Sequence, residues 1–252
     1  MPPYLTKECF IVNKLYEELV PVTALEKTAT AGDTHATKTI PFGDFRRVMF
    51  YALFEAAAGN LRINHDAHEK MVLTLIERKG LTGATNNLVT NIDVEAGEGV
   101  IKMIAENVND WENDAKLTIN GVDFVKKGSH DASDREFTNG AQLEAMIEAA
   151  FPYIDADDST NDVTIQVDDV KDRMTADLDI GGSTAVDRLS ILECAAFVEA
   201  HVSDLTAGYD SLHLNVSGDD ATTVNTTVFA ILANPYSKPI EQPAHHGVHV
   251  PA

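Results

Sequence analysis

Apolar and polar positions alternate with a period of two along most of this chain, so strands are the default reading. Val72, Thr74 and Ile76 alternate with Leu73, Leu75 and Glu77 in a run that stops at Gly80, which predicts a strand and a turn. The aromatic run from Asp44 to Gly59, bracketed by Gly43 and Gly59, favours a buried strand, with a helix as the alternative because of its alanine-rich end. Residues 87–110 alternate weakly and fit either a helix or a strand pair. Lys116–Val125 reads as two short strands folded about Asn120-Gly121, a dipeptide that accepts positive φ at both centres of a type I′ turn. Leu143, Met146, Ile147 and Ala150 follow helical spacing and predict an amphipathic helix closed by Pro152. Residues 162–170 and 173–181 alternate as strands. Ser183–Val202 reads as a second helix, with Ser183 or Thr184 as the cap and Asp187 in the first turn, where the helix dipole favours an anion. The β-branched runs at 209–217 and 222–235 are the last strands.

These elements predict a strand-rich α+β protein. A β-sandwich-like body is expected from 41–112 and 204–235, interrupted by an α/β insertion at 113–203. An alternative is a ferredoxin-like βαββαβ unit spanning 116–233. Residues 1–40 read as an N-terminal arm with one short helix followed by a small, polar loop. Residues 236–252, rich in proline, read as an extended C-terminal arm.

Forty acidic against nineteen basic side chains give a net charge of −21. That excess opposes binding to nucleic acid or to an anionic membrane, both of which need clustered Lys and Arg. It suits a basic protein partner, a halophilic setting, or a surface crowded with copies of the same chain. No stretch of apolar residues is long enough for a membrane helix and no secretory leader is recognisable, so a soluble protein is expected. Cys9 and Cys194 lie far apart without metal-ligand spacing and read as reduced, partly buried thiols.

Candidate chemistry is sparse. His65, Asp66 and His68, followed by Glu69, combine imidazole and carboxylate at a spacing that suits zinc, iron or manganese, although no third ligand follows from the sequence. A cation-dependent enzyme built on them is the rival to a non-catalytic role; a solvated loop is the simpler reading. Asp155–Val163 is rich in oxygen donors, but Thr160 and Gln166 stand where a calcium loop needs glycine and a bidentate glutamate, so a solvated acidic turn is expected. His245, His246 and His249 are a possible metal tract within the C-terminal arm. There is no GxSxG, no Walker loop and no GxGxxG. The expectation is a protein that is not an enzyme and needs no cofactor.

One module is more specific than its parts. "TINGVDF", a polar loop, "REF" and the helix "AQLEAMIEAA" together resemble a module of tailed-bacteriophage structural proteins, in which a TINGxxF hairpin leads into an LxxxIxxA helix. The segments "GDFRRVMFYALFEAAAGNLR", "VLTLIERKGLTGATNNL", "GYDSLHLNVS" and "TTVFAILANPYSKP" are similar, in the same order, to strands of small phage virion proteins. The long N-terminal arm and the segment at 184–201 depart from that pattern. The resemblance implies a virion protein made in the host cytoplasm and placed on the capsid surface. Its first form is a decoration or cement protein bridging capsomers; a tail or head-tail component and a small major capsid protein are alternatives. Its partners would be the major capsid protein and neighbouring copies of itself in a homo-oligomer. On this reading Phe10, Ile11, Leu15 and Tyr16 in the first arm, and Tyr236, Ile240 and Val248 in the second, are the apolar anchors. Phe124 and Phe137 are expected to pack over the helix face of Leu143, Met146 and Ile147.

Overall fold

The computed structural model describes residues 19–29, 34–58, 61–64, 67–68, 70–169, 172–179, 188–218 and 223–235. Eighteen strands, one α-helix and two 3-10 turns make up the described residues. None of their helices is long and apolar enough to cross a membrane. The strand-rich, β-sandwich-like α+β expectation holds.

The main sheet is built on β4 (Phe45–Ala58) and β16 (Arg188–His201), which run antiparallel from Arg47↔His201 to Glu55↔Glu193. β18 (Thr223–Pro235) pairs with the other edge of β4, and β1 (Leu19–Ala29) with the other edge of β18. Leu19 lies opposite Ala233, so the start of β1 and the end of β18 share one corner of the sheet. On the far side, β16 pairs with β9 (Val100–Glu106), which leads to β14 (Asp162–Val167) and then β13 (Ile154–Ser159). β5 (Leu61–Asn64) continues the line of β4 along β16, and β6 (Ala67–His68) pairs with β5. Residues 113–203 therefore give three strands to the main sheet.

A second sheet sets β17 (Ser211–Gly218) between β7 (Lys70–Arg78) and the short β2 (Thr34–Ala36) and β3 (Ile40–Pro41), with β8 (Thr85–Glu95) outside β7. A third consists of β12 (Glu136–Phe137), β11 (Val122–Lys126), β10 (Lys116–Ile119) and β15 (Ala176–Asp179). One core joins these layers: Val48, Phe50 and Phe54 of β4, Leu73 and Leu75 of β7, Leu212 and Leu214 of β17, and Leu117 and Phe124 of the hairpin are all buried within it.

The β10–β11 hairpin turns at Asn120 (φ 49°) and Gly121 (φ 77°), the two positive angles that the dipeptide predicts. Helix α1 (Gly140–Ala150) is capped by Asn139, whose side chain accepts from the Gln142 amide at 3.1 Å; Gln142 Oε1 in turn accepts from the Thr138 amide at 2.8 Å. Leu143, Met146 and Ile147 are buried in the same core as Phe124 and Phe137, as expected.

Three expectations are overturned. The described part of the expected second helix is not helical: Arg188–His201 is β16, hydrogen-bonded along both edges, and pairing overrides its alanine-rich composition, while Ser183, Thr184 and Asp187 lie outside the described residues. Without that second helix the ferredoxin-like order fails. Residues 19–29, 34–36 and 40–41, all but the last expected within an arm, are strands of the two larger sheets. The ambiguous stretch 87–110 proves to hold parts of two strands, β8 and β9, joined through the turn at 96–99. The acidic run 155–163 belongs to the β13–β14 hairpin, which turns at Thr160 (φ 68°).

Among the described residues, Lys126 and Glu77 are charged side chains buried within the fold, and both are bonded. Lys126 Nζ donates to the carbonyls of Val108 (3.1 Å), Asn109 (2.9 Å) and Thr138 (2.7 Å), tying the turn after β9 and the approach to α1 onto β11. Glu77 on β7 is fully buried, accepting from Asn86 Nδ2 at 2.6 Å and from the Thr206 amide at 2.7 Å. Burial pushes the Glu77 carboxyl up, but the bonds from Thr206 and Asn86 outweigh it and hold the group below its ordinary value of 4.5. On the opposite face of that sheet, burial and then the Arg78 charge hold His213 below its ordinary 6.5.

Gly99 closes the β8–β9 turn at φ +61°, and a Cβ there would lie 2.1 Å from the Ala195 carbonyl oxygen. Gly99→Ala should therefore cost about 2–4 kcal/mol, combining a left-handed backbone with a clash against a central strand. Urea denaturation measures it; a loss below about 1 kcal/mol, the ordinary scale of a single substitution, would contradict the geometry. A group depressed on folding stabilises above its unfolded pKa and loses that contribution as pH falls through the folded value. Glu77→Gln, which forfeits the Asn86 bond, should cost about 1 kcal/mol at neutral pH. The gap to the parent should narrow below pH 4.5 in denaturation curves taken across pH.

Candidate interaction surface

Strict alternation on β4 sends Val48, Phe50, Ala52 and Phe54 into the core and leaves Met49, Tyr51 and Leu53 half-buried on the outer side of the main sheet. Register aligns the neighbours with them. Phe197 of β16 and Phe229 of β18 lie directly opposite Tyr51 on either side, making one aromatic row across three strands. Met49 lies between Ile231 and Glu199, and Leu53 between Thr227 and Ala195.

Phe197 is 45% exposed, among the most exposed of the large apolar side chains. Its ring lies 4.7 Å from that of Tyr51, tilted by 36°, and the Arg173 guanidinium sits 4.3 Å from its centroid. Arg173 reaches this place because Met174 exchanges two backbone hydrogen bonds with Val100, each 2.9 Å, which fastens residues 172–175 beside the start of β9. Burial raises the Tyr51 hydroxyl above its ordinary 10.0, against the lowering effect of Arg173. Beyond the row, Arg47 and Glu199 form an ion pair. The arrangement is a firm apolar plate with a stacked cation. It offers area and shape.

The positions singled out in the sequence fall elsewhere. His65, Asp66 and Glu69 lie outside the described residues; His68 lies in β6, paired with Ile63. Phe10, Ile11, Leu15, Tyr16, Tyr236, Ile240 and Val248 also lie outside them, as do Cys9, His245, His246 and His249. Among the described residues no three His, Cys, Asp or Glu side chains gather as metal ligands would. Cys194 is a buried core thiol whose pKa burial pushes up to about 12, leaving it unreactive at neutral pH. Phe197 lies in β16 and not in a helix, and it is the register of β16 and β18 on β4 that sets it and Phe229 beside Tyr51, which no local sequence signal shows.

No family model matches the chain. No curated protein matches it. Among solved structures, a T=1 particle derived from infectious bursal virus aligns over 86% of this chain and 40% of its own at 9% identity and a TM-score of 0.20. The Gt strain of infectious bursal disease virus aligns over 86% and 41% at 10% identity and 0.19. The chain thus spans about two fifths of the length of those chains, and likenesses this slight do not establish a shared fold.

Phe197→Ala should leave the fold intact and cost at most about 1 kcal/mol, since the half-exposed ring gives up one aromatic neighbour and one cation contact. Chemical denaturation checks it; a loss of several kcal/mol would mean that the plate belongs to the core.

Proposed function

We propose that this chain is a non-catalytic structural component of a virus particle, working through the surfaces it presents. The observation that carries the reading is the outer face of the main sheet, where the row Phe197, Tyr51 and Phe229 is held on long, fully paired strands and left partly open. A half-open apolar plate on a rigid sheet is what a protein that works by contact requires. The order of the TINGVDF hairpin, the REF segment and the amphipathic helix supports the finer assignment: a capsid decoration or cement protein of a tailed phage, carried on the head, bound to the major capsid protein and to copies of itself. Its strong negative charge keeps such a protein soluble before assembly and disfavours contact with the packaged genome.

The test is quantitative mass spectrometry of density-banded particles from a lysate that contains this protein. The expected result is a copy number comparable to that of the major capsid protein, with release under mild destabilisation and heads that then break at lower temperature. A few copies per particle would overturn the decoration role in favour of the neck or tail, and absence from particles would overturn the virion reading.

A further inference from the structure

We propose that the open edge of β8 joins two copies of this chain, β8 of one pairing antiparallel with β8 of the other to make one continuous sheet. The proposal rests on the contact role proposed above, for which it names the surface where copies meet, and it is tested on the isolated chain.

A sheet edge is a row of amide and carbonyl groups open to any strand presented to it, and folded proteins close such edges by shortening, charging or covering them, or with proline. The other sheet edges among the described residues are closed in those ways. β2, β3, β6 and β12 are two or three residues long. β1 carries Pro21, Glu26 and Lys27, and its Ala24 carbonyl accepts from the Lys38 amide at 2.9 Å. β13 packs against α1, and its Asp158 amide donates to Glu144 Oε2 at 2.9 Å. β15 carries Asp177 and Asp179, and its Ala176 amide donates to the Gly97 carbonyl at 2.8 Å. β8 is the exception. It runs for 11 residues along the border of the second sheet, pairs with β7 alone among the described residues, and leaves Thr85, Asn86, Asn87, Val89 and Thr90 exposed. It holds no proline, lysine or arginine. Two register shifts against β7 fall in its middle and leave 85–87 and 92–95 as regular stretches on either side.

The sequence of this edge selects the partner. Residues 80–92 contain no Lys, Arg, Asp, Glu or His in a chain that stands at −21. Copies of such a chain repel over most of their surface, and an uncharged edge is where two of them approach without opposed carboxylates. A basic partner, which the overall charge attracts, gains nothing from this edge. Leu81 and Val89, 59% and 44% exposed, add apolar area along it. Symmetry fixes the direction, because a two-fold axis that brings an edge strand beside its own copy makes the pair antiparallel. Asp93 and Glu95, with Lys70 beside them, stand at one end of β8; Arg78 and Lys79, with Asp210 and the inward-facing Glu77, stand at the other. Antiparallel pairing keeps the acidic ends of the two copies apart and lays each beside the other's Arg78 and Lys79, whereas parallel pairing would align them. The stretch 85–87 of each copy then meets 92–95 of the other. Once the two strands are paired neither β8 edge remains open, so assembly through this surface stops at two copies.

The test is sedimentation of the full chain over a range of concentrations, with backbone amide exchange read by mass spectrometry at the lowest and the highest. A reversible equilibrium between monomer and dimer is expected, with the amides of 85–95 exchanging about tenfold more slowly or better in the dimer. Thr90→Glu, which sets two carboxylates near the middle of the paired edges, should weaken the dimer about tenfold or more with an unchanged circular dichroism spectrum. Should that variant lose its fold, the exchange pattern of the unaltered chain decides. Four outcomes would overturn the proposal: a chain that stays monomeric, a dimer in which 85–95 exchange as they do in the monomer, a folded Thr90→Glu chain that dimerises as before, or growth beyond two copies. A dimer protected at 85–95 in a chain absent from virus particles would leave this contact standing and sink the particle role; a monomeric chain abundant in particles would do the reverse.

Discussion

Everything in this molecule depends on β4 being hydrogen-bonded along both edges at a fixed register. With β16 on one side and β18 on the other, no residue of β4 can slip without carrying every apolar side chain to the wrong face. That constraint buries Phe50 and Phe54 and, by the same parity, holds Tyr51 beside Phe197 and Phe229 outside. Core and contact surface are two readings of one alternation. Neither can be changed by a register shift without losing the other.

The polar groups inside the fold are placed where layers meet. Lys126 gathers three carbonyls from two separate segments, and Glu77 links β7 to β8 through Asn86 and to the turn before β17 through Thr206. A buried charge is tolerated only when its hydrogen bonds are filled, so each of these side chains demands one arrangement of the segments around it. The apolar core favours compactness in many packings; these bonds discriminate among them.

The sequence revealed local elements and hid long-range partners. The Asn120-Gly121 turn and helix α1 are determined within a few residues, by positive φ and by a cap with helical spacing, and both were readable. β7 and β17 were readable as strands, but nothing local says that they pair with each other, or that β18 lies between β1 and β4. β16 does not read as a strand because Leu189, Ser190 and Ile191, then Cys194 and Ala195, are buried consecutively, so that no period-two signal survives. The aromatic plate was invisible for a related reason: Tyr51, Phe197 and Phe229 are brought together only by register. Of the proposed metal ligands only His68 is described, in β6, and the arm anchors all fall outside the described residues.

The shared corner of β1 and β18 has a mechanical meaning. Because Leu19 lies opposite Ala233, the start of β1 and the end of β18 sit side by side. If those two segments are drawn apart, the antiparallel pair opens like a zipper, one hydrogen bond at a time, and resists little force. If they are drawn together in one direction, the load passes into β4 across the whole length of β18, and many bonds must fail at once. The same fold is thus weak to tension between its own two ends and strong to tension shared by them, so the direction in which neighbours pull sets the strength of the unit.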